Sequence, residues 1–444
     1  MNRKIFGTDG VRGAANIELT ADLALKIGRA LGFYLKEKYS QPLIIIGKDP
    51  RISSDMLEAA LASGALSAGV KVGLLGIVTT PALSVLVKDY GAQAGVMISA
   101  SHNPIQDNGI KIFGENSMKL SDAEEARIEE ILEGLSFKGP DFPERPLVLP
   151  DSRERYLSFL RRFSPRSIKP LKLVLDCAWG STSLFAPQIF KEAGLEVFPL
   201  NSSPDGSQIN VGCGSTNIDF LRGEVLKRKA DLGFAFDGDG DRLIAVDRNG
   251  RVVDGDVVLC IFGLHRLKEG TLPKRTVVTT VMSNFALEKA IQENGGRLIR
   301  TKVGDRYVLE KMIEEGAVLG GEQSGHIIFG EISWAGDGML TGLLLLQLIQ
   351  ETGKDLSELG HEYQPVPQVL LNVKVKDKGK FSQDVEIQRA LEKFQKDLEG
   401  RGRVVVRPSG TEPIIRVMVE SLKEGEAEEV AYSLSSLIKD RLSL

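Results

Sequence analysis

Residues 43–99 of this chain read LIIIGKDPRISSDMLEAALASGALSAGVKVGLLGIVTTPALSVLVKDYGAQAGVMIS. Short apolar runs with the composition of buried strands lie at 43–47, 70–75 and 95–99. Segments with apolar residues near helical spacing lie between them, at 53–68 and 81–88. This alternation of strand and helix predicts a parallel sheet with helices on its faces.

The same alternation returns twice further along the chain. Strands are predicted at 171–176, 195–200, 232–236, 275–281, 297–302 and 317–320, and helices at 181–193, 283–294 and 305–315. The last portion alternates as half-buried strands do, at 369–375, 402–407 and 414–420, with helices near 384–398 and 424–442. The predicted fold class is therefore α/β, with three similar mixed α/β domains and a smaller C-terminal α+β domain.

The domain boundaries are predicted from length and from breaker residues. A chain of 444 residues is compatible with two to four domains of ~100–200 residues each. Proline-rich segments at 140–150 and 364–367 are the best candidates for linkers, whereas the boundary near residue 254 has no clear punctuation. We expect four domains, at residues 1–150, 151–253, 254–365 and 366–444.

The composition excludes several classes of protein. The 56 Lys+Arg and 60 Asp+Glu residues leave a formal net charge of −4 without a long basic run, so nucleic acid is not the expected partner. The first residues lack the apolar core of a signal peptide, and the longest apolar stretch, 339–349, is shorter than the ~20 residues that cross a bilayer. The three cysteines are widely spaced, so a disulfide framework is not expected. We predict a cytoplasmic enzyme or binding protein without a membrane partner.

The first candidate site is the sequence SASHNP at 99–104, directly after a predicted strand. The carboxyl ends of strands are where open α/β sheets bind ligands. Ser101 beside His102 is compatible with a nucleophile and its base, or with a serine that carries phosphate. A solvated Asx-type turn is the alternative. A Gly-x-Ser-x-Gly elbow does not surround Ser101, which argues against an α/β-hydrolase.

The second candidate site is DGDGDR at 237–242, after another predicted strand. Asp237, Asp239 and Asp241 alternate with glycines, so a tight loop can direct three carboxylates to one point. Three oxygen ligands without histidine or cysteine favour Mg²⁺ over zinc. An EF-hand is excluded because Arg242 and Arg248 stand where its sixth and twelfth residues, glycine and glutamate, are required. A solvated acidic turn remains the alternative.

The third candidate site is GGEQSGH at 320–326. Glycines permit close approach of the backbone to a ligand, and Glu322, Ser324 and His326 offer donors and acceptors that suit hydroxyl groups. A histidine with a purely structural role is the alternative.

The fourth candidate site is RPSGTEP at 407–413, followed by Arg416. Its guanidinium groups, hydroxyls and backbone N–H groups are suited to a phosphate cradle, and a plain turn with exposed arginines is the alternative. The glycine-rich opening FGTDGVRG at 6–13 adds Arg12. One cleft bounded by four domains would use all of these features on a phosphorylated sugar.

These five motifs, taken in this order over essentially the whole chain, resemble the α-D-phosphohexomutase family. The resemblance implies a fold of three similar α/β domains and a smaller C-terminal α+β domain around one central cleft. It also implies that Ser101 is phosphorylated in the active enzyme. One Mg²⁺ per subunit would be held by an oxygen of that phosphoserine and by Asp237, Asp239 and Asp241. A hexose 1,6-bisphosphate would act as activator.

The resemblance implies further roles for individual residues. Acid/base or electrostatic work falls to Arg12, Lys111 and His326, and Arg242 would lie beside the transferring phosphate. His102 and Asn103 would complete the catalytic loop, and Glu322 and Ser324 would bind sugar hydroxyls. The phosphate that is not being transferred would be held by Arg407, Ser409, Gly410, Thr411 and Arg416.

The implied activity is the interconversion of glucosamine 6-phosphate and glucosamine 1-phosphate, on the route to amino-sugar nucleotides and peptidoglycan precursors. Gln323 favours glucosamine, since family members that act on mannose or glucose phosphate typically have Met there, and those sugars are the nearest alternative. An aspartyl phosphatase is disfavoured because Asp241 occupies the last place of its Asp-x-Asp-x-Thr/Val motif. A phosphosugar-binding relative without catalysis is the remaining alternative. The resemblance is also compatible with a homodimer.

Overall fold

The chain folds around four β-sheets that follow one another along the sequence. A computed structural model describes residues 5–7, 9–134, 145–166, 169–409 and 413–442. Within these residues the sheets have six, five, four and three strands. None of the described helices combines the length and the apolar composition that a membrane span requires.

The first sheet has the strand order β1-β5-β4-β2-β3-β6. Its strands are β1 (Val11–Ala14), β2 (Leu43–Lys48), β3 (Lys71–Ile77), β4 (Ala94–Ile98), β5 (Asp107–Gly114) and β6 (Leu147–Val148). The accompanying helices are α1 (Ala21–Lys36), α2 (Ser54–Ser67), α3 (Thr80–Asp89) and α4 (Asp122–Glu133). The strands predicted in 43–99 are the parallel strands β2, β3 and β4. Part of the predicted linker at 140–150 lies outside the described residues.

The second sheet has the order β11-β10-β9-β7-β8. Its elements are α5 (Ser152–Arg161), β7 (Lys172–Asp176), α6 (Ala186–Glu192), β8 (Glu196–Leu200), α7 (Ile218–Arg228), β9 (Leu232–Phe236), β10 (Leu243–Asp247) and β11 (Val252–Val253). The single helix predicted at 181–193 is instead a 3-10 turn, Ser181–Leu184, followed by α6. Pro187 has no backbone N–H to continue the hydrogen-bond ladder, which accounts for the break.

The third sheet has the order β13-β12-β14-β15. Its elements are α8 (Gly255–Lys268), β12 (Thr276–Thr280), α9 (Phe285–Glu293), β13 (Arg297–Thr301), α10 (Asp305–Glu315), β14 (Leu319–Gly321), β15 (Ile327–Phe329), α11 (Gly338–Thr352) and α12 (Leu356–Leu359). The fourth sheet is wholly antiparallel, with the order β16-β18-β17. Its elements are β16 (Gln368–Lys374), α13 (Val385–Asp397), β17 (Gly402–Pro408), β18 (Ile414–Ser421) and α14 (Glu426–Leu442).

A β-hairpin recurs in each of the first three sheets. β5 runs antiparallel to β4, β10 to β9 and β15 to β14. The sequence did not predict these return strands, although the predicted parallel pairing of the strands in 43–99 is confirmed. The connections are short and contain no helix, and a short connection joins only antiparallel neighbours. Each hairpin loop contains one of the first three candidate sites.

The apolar core explains how the sheets are held together. One continuous cluster of buried residues includes Met97, Phe236 and Phe329, which come from the first, second and third segments of the chain. The C-terminal segment has its own cluster, which includes Val404 and Val417. The predicted fold class is confirmed, while the exact domain boundaries stay predictions.

The crossing of α1 and α2 supplies a test of the packing. A Cβ atom on Gly28 would lie 2.1 Å from the Leu61 carbonyl oxygen, and one on Gly64 would lie 2.0 Å from the Leu25 carbonyl oxygen. We predict that Gly64→Ala destabilises the protein by about 1–3 kcal/mol, because the helices must move apart. Thermal unfolding followed by circular dichroism measures the lowered melting temperature.

Gly223→Ala in α7 is the matched control, because a Cβ atom there would meet nothing within 4 Å. Alanine in an open helix position is expected to stabilise by roughly 0.5–1 kcal/mol. Equal melting temperatures for the two variants would contradict the close approach of α1 and α2.

Candidate functional site

Ser101 joins the first and second hairpin loops. Its Oγ donates a hydrogen bond of 2.5 Å to Asp237 Oδ2, and the residue is 1% exposed. Its backbone is left-handed, with φ of 55°, a conformation that is unusual for a residue other than glycine. The serine hydroxyl is therefore held at the edge of the acidic loop by an unusual backbone conformation.

The three aspartates of the second loop form one buried group. Ligand oxygens of Asp237, Asp239 and Asp241 all lie within 4.8 Å of one another. Burial, followed by the charges of Asp241 and Asp239, raises the pKa of Asp237 well above its ordinary value. Among the described residues, Asp239 Oδ1 and Asp241 Oδ1 have no hydrogen-bond partner. Buried carboxylate oxygens without donors suit a divalent cation with oxygen ligands, so the residues present fit Mg²⁺.

Asp239 is oriented by residues of the first segment. Its Oδ2 accepts hydrogen bonds from Thr80 Oγ1 at 2.6 Å and from Lys111 Nζ at 2.9 Å. The Thr80 N–H also donates to the Asp239 carbonyl at 2.9 Å. Burial opposes ionisation of Asp239, yet Lys111 and Thr80 hold its pKa below the ordinary value. One oxygen is thus occupied by protein donors, and the other stays available for a ligand.

Asp241 contacts the third hairpin loop through His326. His326 Nδ1 lies 3.5 Å from Asp241 Oδ2, and Nε2 lies 3.8 Å from Asp305 Oδ2. Burial disfavours the charged ring, but the two carboxylates raise the pKa of His326. The third loop is tied to the second by the Leu243 N–H, which donates to the Gly325 carbonyl at 3.1 Å.

Two residues that the sequence did not single out, Lys119 and Asp305, link the first and third segments, and Asp9 connects them to Arg12. Arg12 Nη1 donates to Asn103 Oδ1 at 3.3 Å, and its guanidinium is paired with Asp9. Lys119 Nζ bonds both to Asp9 and, at 2.5 Å, to Asp305 Oδ2. Asp9 stands within the quoted opening motif, whereas Lys119 and Asp305 carry no signal that sequence reasoning could have used.

Positive charge gathers beside Ser101. The Arg242 N–H donates to Asp237 Oδ1 at 3.2 Å, and its Nε lies 3.8 Å from Asp241 Oδ1. His102 Nδ1 lies 3.3 Å from Ser101 Oγ. Burial, followed by the charges of Arg242 and Arg12, lowers the pKa of His102 to about 4. Guanidinium groups near a hydroxyl at a cation site form a suitable environment for a phosphoryl group.

Glu322 and Ser324 lie half-buried in the third loop. Glu322 Oε1 accepts a hydrogen bond from the Gly304 N–H at 3.1 Å, and burial raises the pKa of this carboxyl. The loop is anchored on α8, because the Gly255 N–H donates to the Gln323 carbonyl at 3.0 Å. A carboxylate and a hydroxyl on an anchored loop are suited to bind hydroxyl groups.

The fourth candidate site lies on the C-terminal sheet. Arg407 on β17 is directly opposite Arg416 on β18, and like charges that face each other across two strands repel. Burial and the charge of Arg416 lower the pKa of Arg407. Arg407 Nη2 reaches Met282 Sδ, at 3.7 Å, in the loop after β12. Ser409 is buried, and Gly410 and Thr411 lie outside the described residues.

Comparisons with known proteins cover the whole chain. Family models described as phosphoglucomutase/phosphomannomutase alpha/beta/alpha domains I, II and III match residues 3–139, 154–250 and 254–366. The model of the C-terminal domain of that family matches residues 370–435. The C-terminal match agrees with a fourth, smaller domain.

Individual relatives agree with the family models. A phosphoglucosamine mutase of Caldanaerobacter subterraneus subsp. tengcongensis is 50% identical over 99% of this chain and 100% of its own length. One of Clostridioides difficile is 47% identical over 99% and 100%. A crystal structure of a phosphoglucomutase/phosphomannomutase family protein from Burkholderia thailandensis superposes with a TM-score of 0.82, at 24% identity over 98% of this chain and 97% of that one.

The carboxylate group can be tested directly for cation binding. We predict that Asp239→Asn weakens Mn²⁺ or Mg²⁺ binding at least about tenfold, or ~1.4 kcal/mol, because a negative charge is lost and the one remaining oxygen is needed by the Thr80 and Lys111 donors. Isothermal titration calorimetry of the metal alone measures the dissociation constant.

Asp247→Asn is the matched control. Asp247 is 1% exposed, and its Oδ1 accepts the Asn249 and Arg251 N–H groups at the far end of the β9–β10 hairpin. Asparagine keeps that oxygen, so this variant should bind the ion as the parent does. Unchanged binding in Asp239→Asn would refute the assignment of a cation site.

Proposed function

This chain belongs to the phosphoglucomutase/phosphomannomutase family, and we propose that it interconverts glucosamine 6-phosphate and glucosamine 1-phosphate through a phosphoserine and a 1,6-bisphosphate intermediate. It is an enzyme of the isomerase class, as predicted. The sugar is supported by full-length relatives named phosphoglucosamine mutase at 50% and 47% identity. The route to amino-sugar nucleotides follows from that product.

One observation carries the proposal. A buried serine hydroxyl lies 2.5 Å from a carboxylate of a triad that suits a divalent cation. The serine and the triad come from different segments, and both sit on hairpin loops. A hydrolase of the nucleophile-and-base type would not need three carboxylates beside its serine, whereas phosphoryl transfer needs charge compensation at that point.

The triad would hold the cofactor. Asp237, Asp239 and Asp241, with an oxygen of phosphorylated Ser101, would bind one Mg²⁺ per subunit. When bound, the ion would offset the negative charge that develops on the phosphoryl group in flight. Lys111 and Thr80 keep Asp239 ionised and aligned for this role. A hexose 1,6-bisphosphate would supply the first phosphoryl group to Ser101.

The first half-reaction moves the phosphoryl group from Ser101 to the sugar. The 1-hydroxyl oxygen of glucosamine 6-phosphate forms a bond to phosphorus while the bond from Ser101 Oγ breaks. The hydroxyl proton passes to a basic group of the cleft, for which Arg12, Lys111 and His326 are the candidates. His102 Nδ1 lies 3.3 Å from Ser101 Oγ, and the charge of Arg242 acts on His102, so both side chains would orient the group in transfer.

The second half-reaction requires the bisphosphate to turn end for end. The bond between phosphorus and the 6-oxygen then breaks as Ser101 Oγ is phosphorylated again. The proton released from the 1-hydroxyl in the first half-reaction ends on the 6-oxygen, which leaves glucosamine 1-phosphate. The phosphate that is not reacting would be bound by Arg407, Ser409, Gly410, Thr411 and Arg416. Glu322 and Ser324 would contact the sugar hydroxyls. The cross-strand pair of Arg407 and Arg416 supports the phosphate site, because neighbouring guanidinium groups can donate several hydrogen bonds to one phosphate.

The remaining partners stay predictions. A small phosphosugar is the partner that the relatives' name supports. The homodimer, the lack of a nucleic-acid partner and the cytoplasmic location rest on the sequence alone. Mannose and glucose phosphates are alternative substrates, because the family description names a phosphoglucomutase and a phosphomannomutase.

The proposed activity is tested by measuring turnover of glucosamine 6-phosphate, mannose 6-phosphate and glucose 6-phosphate with Mg²⁺ and a hexose 1,6-bisphosphate. We expect a clear preference for glucosamine 6-phosphate, and loss of turnover with a chelator. Ser101→Ala should lower kcat by roughly three orders of magnitude or more, because the phosphoryl carrier is gone. Ser63→Ala, on the outer side of α2, is the control.

Normal turnover by Ser101→Ala would exclude the phosphoserine route. Preference for mannose or glucose phosphate would keep that route and change the sugar.

The phosphate site has its own test. Arg416→Met should raise KM for glucosamine 6-phosphate by about 10- to 100-fold, since a charge-assisted hydrogen bond contributes roughly 1.5–3 kcal/mol. Steady-state kinetics give KM and kcat separately. Arg401→Met is the control, because Arg401 pairs with Glu426 at the surface of the same domain. An unchanged KM for Arg416→Met would place the second phosphate elsewhere.

A further inference from the structure

Arg51 is a fully buried arginine that the proposed chemistry does not use. Its side chain has 0% exposure, as has that of its ion-pair partner Asp49. A buried guanidinium is costly unless all of its N–H groups are bonded. Four of the five hydrogen-bond acceptors of Arg51 belong to the segment that carries Ser101.

The five N–H donors of Arg51 meet five acceptors. Nε donates to Asp49 Oδ2 at 2.9 Å. The other four bonds go to backbone carbonyl oxygens of the β4–β5 loop and of the first residue of β5. Nη2 donates to Ser101 and Asn103, both at 2.9 Å, and Nη1 donates to Pro104 at 2.5 Å and to Asp107 at 3.0 Å. The guanidinium therefore acts as a central bracket for the loop that carries Ser101.

Asp49 extends the bracket to the amide of Ser101. Asp49 Oδ2 accepts a hydrogen bond of 2.7 Å from Ser99 Oγ. Ser99 Oγ in turn accepts the Ser101 N–H at 2.8 Å. Ser101 is thus held at its N–H through Asp49 and at its carbonyl through Arg51. Asn210 Nδ2, from the second segment, donates to the same carbonyl at 2.9 Å.

The backbone of Ser101 explains why such a bracket is needed. Its φ of 55° costs a non-glycine residue roughly 1–2 kcal/mol. Without opposing bonds the residue would relax toward negative φ, which would swing Oγ away from Asp237. The 2.5 Å contact between these two side chains therefore depends on groups that bind only the backbone of Ser101.

We propose that Arg51 is a positioning residue that holds Ser101 in the conformation needed for phosphoryl transfer, with Asp49 orienting Arg51. This inference rests on the proposed function. Among the described residues, the Arg51 side chain bonds to Asp49 and to four backbone carbonyls, and not to the Ser101 hydroxyl or to the sugar loop. Its loss should consequently slow transfer without weakening the binding of substrate.

The test is Arg51→Lys, which keeps the charge but cannot span four carbonyls. We expect kcat to fall about 100-fold, as misplacement of a reacting group by ~1 Å can cause, with KM for glucosamine 6-phosphate unchanged within about twofold. Phosphorylation of Ser101 by a hexose 1,6-bisphosphate, followed by intact mass, should be slower by a similar factor and reach the same end point.

Arg275→Lys is the matched control. Arg275 donates to the carbonyls of Gly295 at 2.6 Å and Asn294 at 2.8 Å, just before β12 begins and so at the end of that strand opposite the cleft. The Arg275→Lys variant also loses hydrogen bonds from a guanidinium to backbone carbonyls, but it should keep the parent's kcat and KM. Circular dichroism and thermal melting confirm that each variant is folded.

Ser99→Ala removes the acceptor of the Ser101 N–H but keeps the ion pair of Arg51 and Asp49. It therefore tests the positioning role if Arg51→Lys does not fold. It should lower kcat about tenfold, with KM unchanged. Parent-like kcat and phosphorylation rates in the folded variants, with only a lower melting temperature, would overturn the positioning role and leave the proposed function intact. A parent enzyme that is never phosphorylated on Ser101 would overturn both.

Discussion

The burial of three carboxylates at one point is the constraint on which the site depends. Ligand oxygens of Asp237, Asp239 and Asp241 lie within 4.8 Å of one another, so their mutual repulsion in a medium of low polarity must be offset. The protein does this with groups from the first and third segments: Lys111 and Thr80 on Asp239, the Ser101 hydroxyl on Asp237, and His326 on Asp241. The acidic loop is thus the element that residues of the first and third segments both contact.

The repeated hairpin makes this convergence possible. Each of the first three sheets presents a tight loop where a central strand turns back into an antiparallel neighbour. The loops are rigid at both ends because both flanking strands are buried, as in β4 and β10. A continuous apolar core then fixes the sheets relative to one another, so three short loops can meet at hydrogen-bonding distance. The C-terminal sheet has a separate core and brings Arg407 to the loop after β12.

Two kinds of support act on the same serine. Asp237 and His102 face its hydroxyl, where chemistry would take place. Arg51 and Ser99 face only its backbone. A strained residue is stable only when its surroundings over-determine it, and Ser101 is bonded at its N–H, its carbonyl and its hydroxyl. The groups that would take part in the chemistry of the Ser101 hydroxyl are thus distinct from the groups that would position its backbone.

Local patterns in the sequence were sufficient for most of the elements. The strand over Leu232–Phe236 and the helix over Asp305–Glu315 were predicted with their exact bounds, because a buried strand and an amphipathic helix each impose a short period on the residues. The acidic loop, Ser101 and the arginine-rich turn were also visible, since several chemical groups stand within a few positions of one another. The family resemblance rested on such motifs.

Tertiary structure alone decided the direction of the return strands and the contacts between distant residues. The return strands β5, β10 and β15 could not be predicted, because a strand's direction depends on its neighbour and leaves no mark in its own composition. Lys119 and Asp305 are 186 positions apart, yet they are hydrogen-bonded. Arg51 was not singled out in the sequence, and only the fold buries it against four carbonyls. The sequence by itself determined which chemical groups are present and in which local element each stands. Which of them meet was decided by the packing of the sheets, since contacts between distant segments form only when the whole core is assembled.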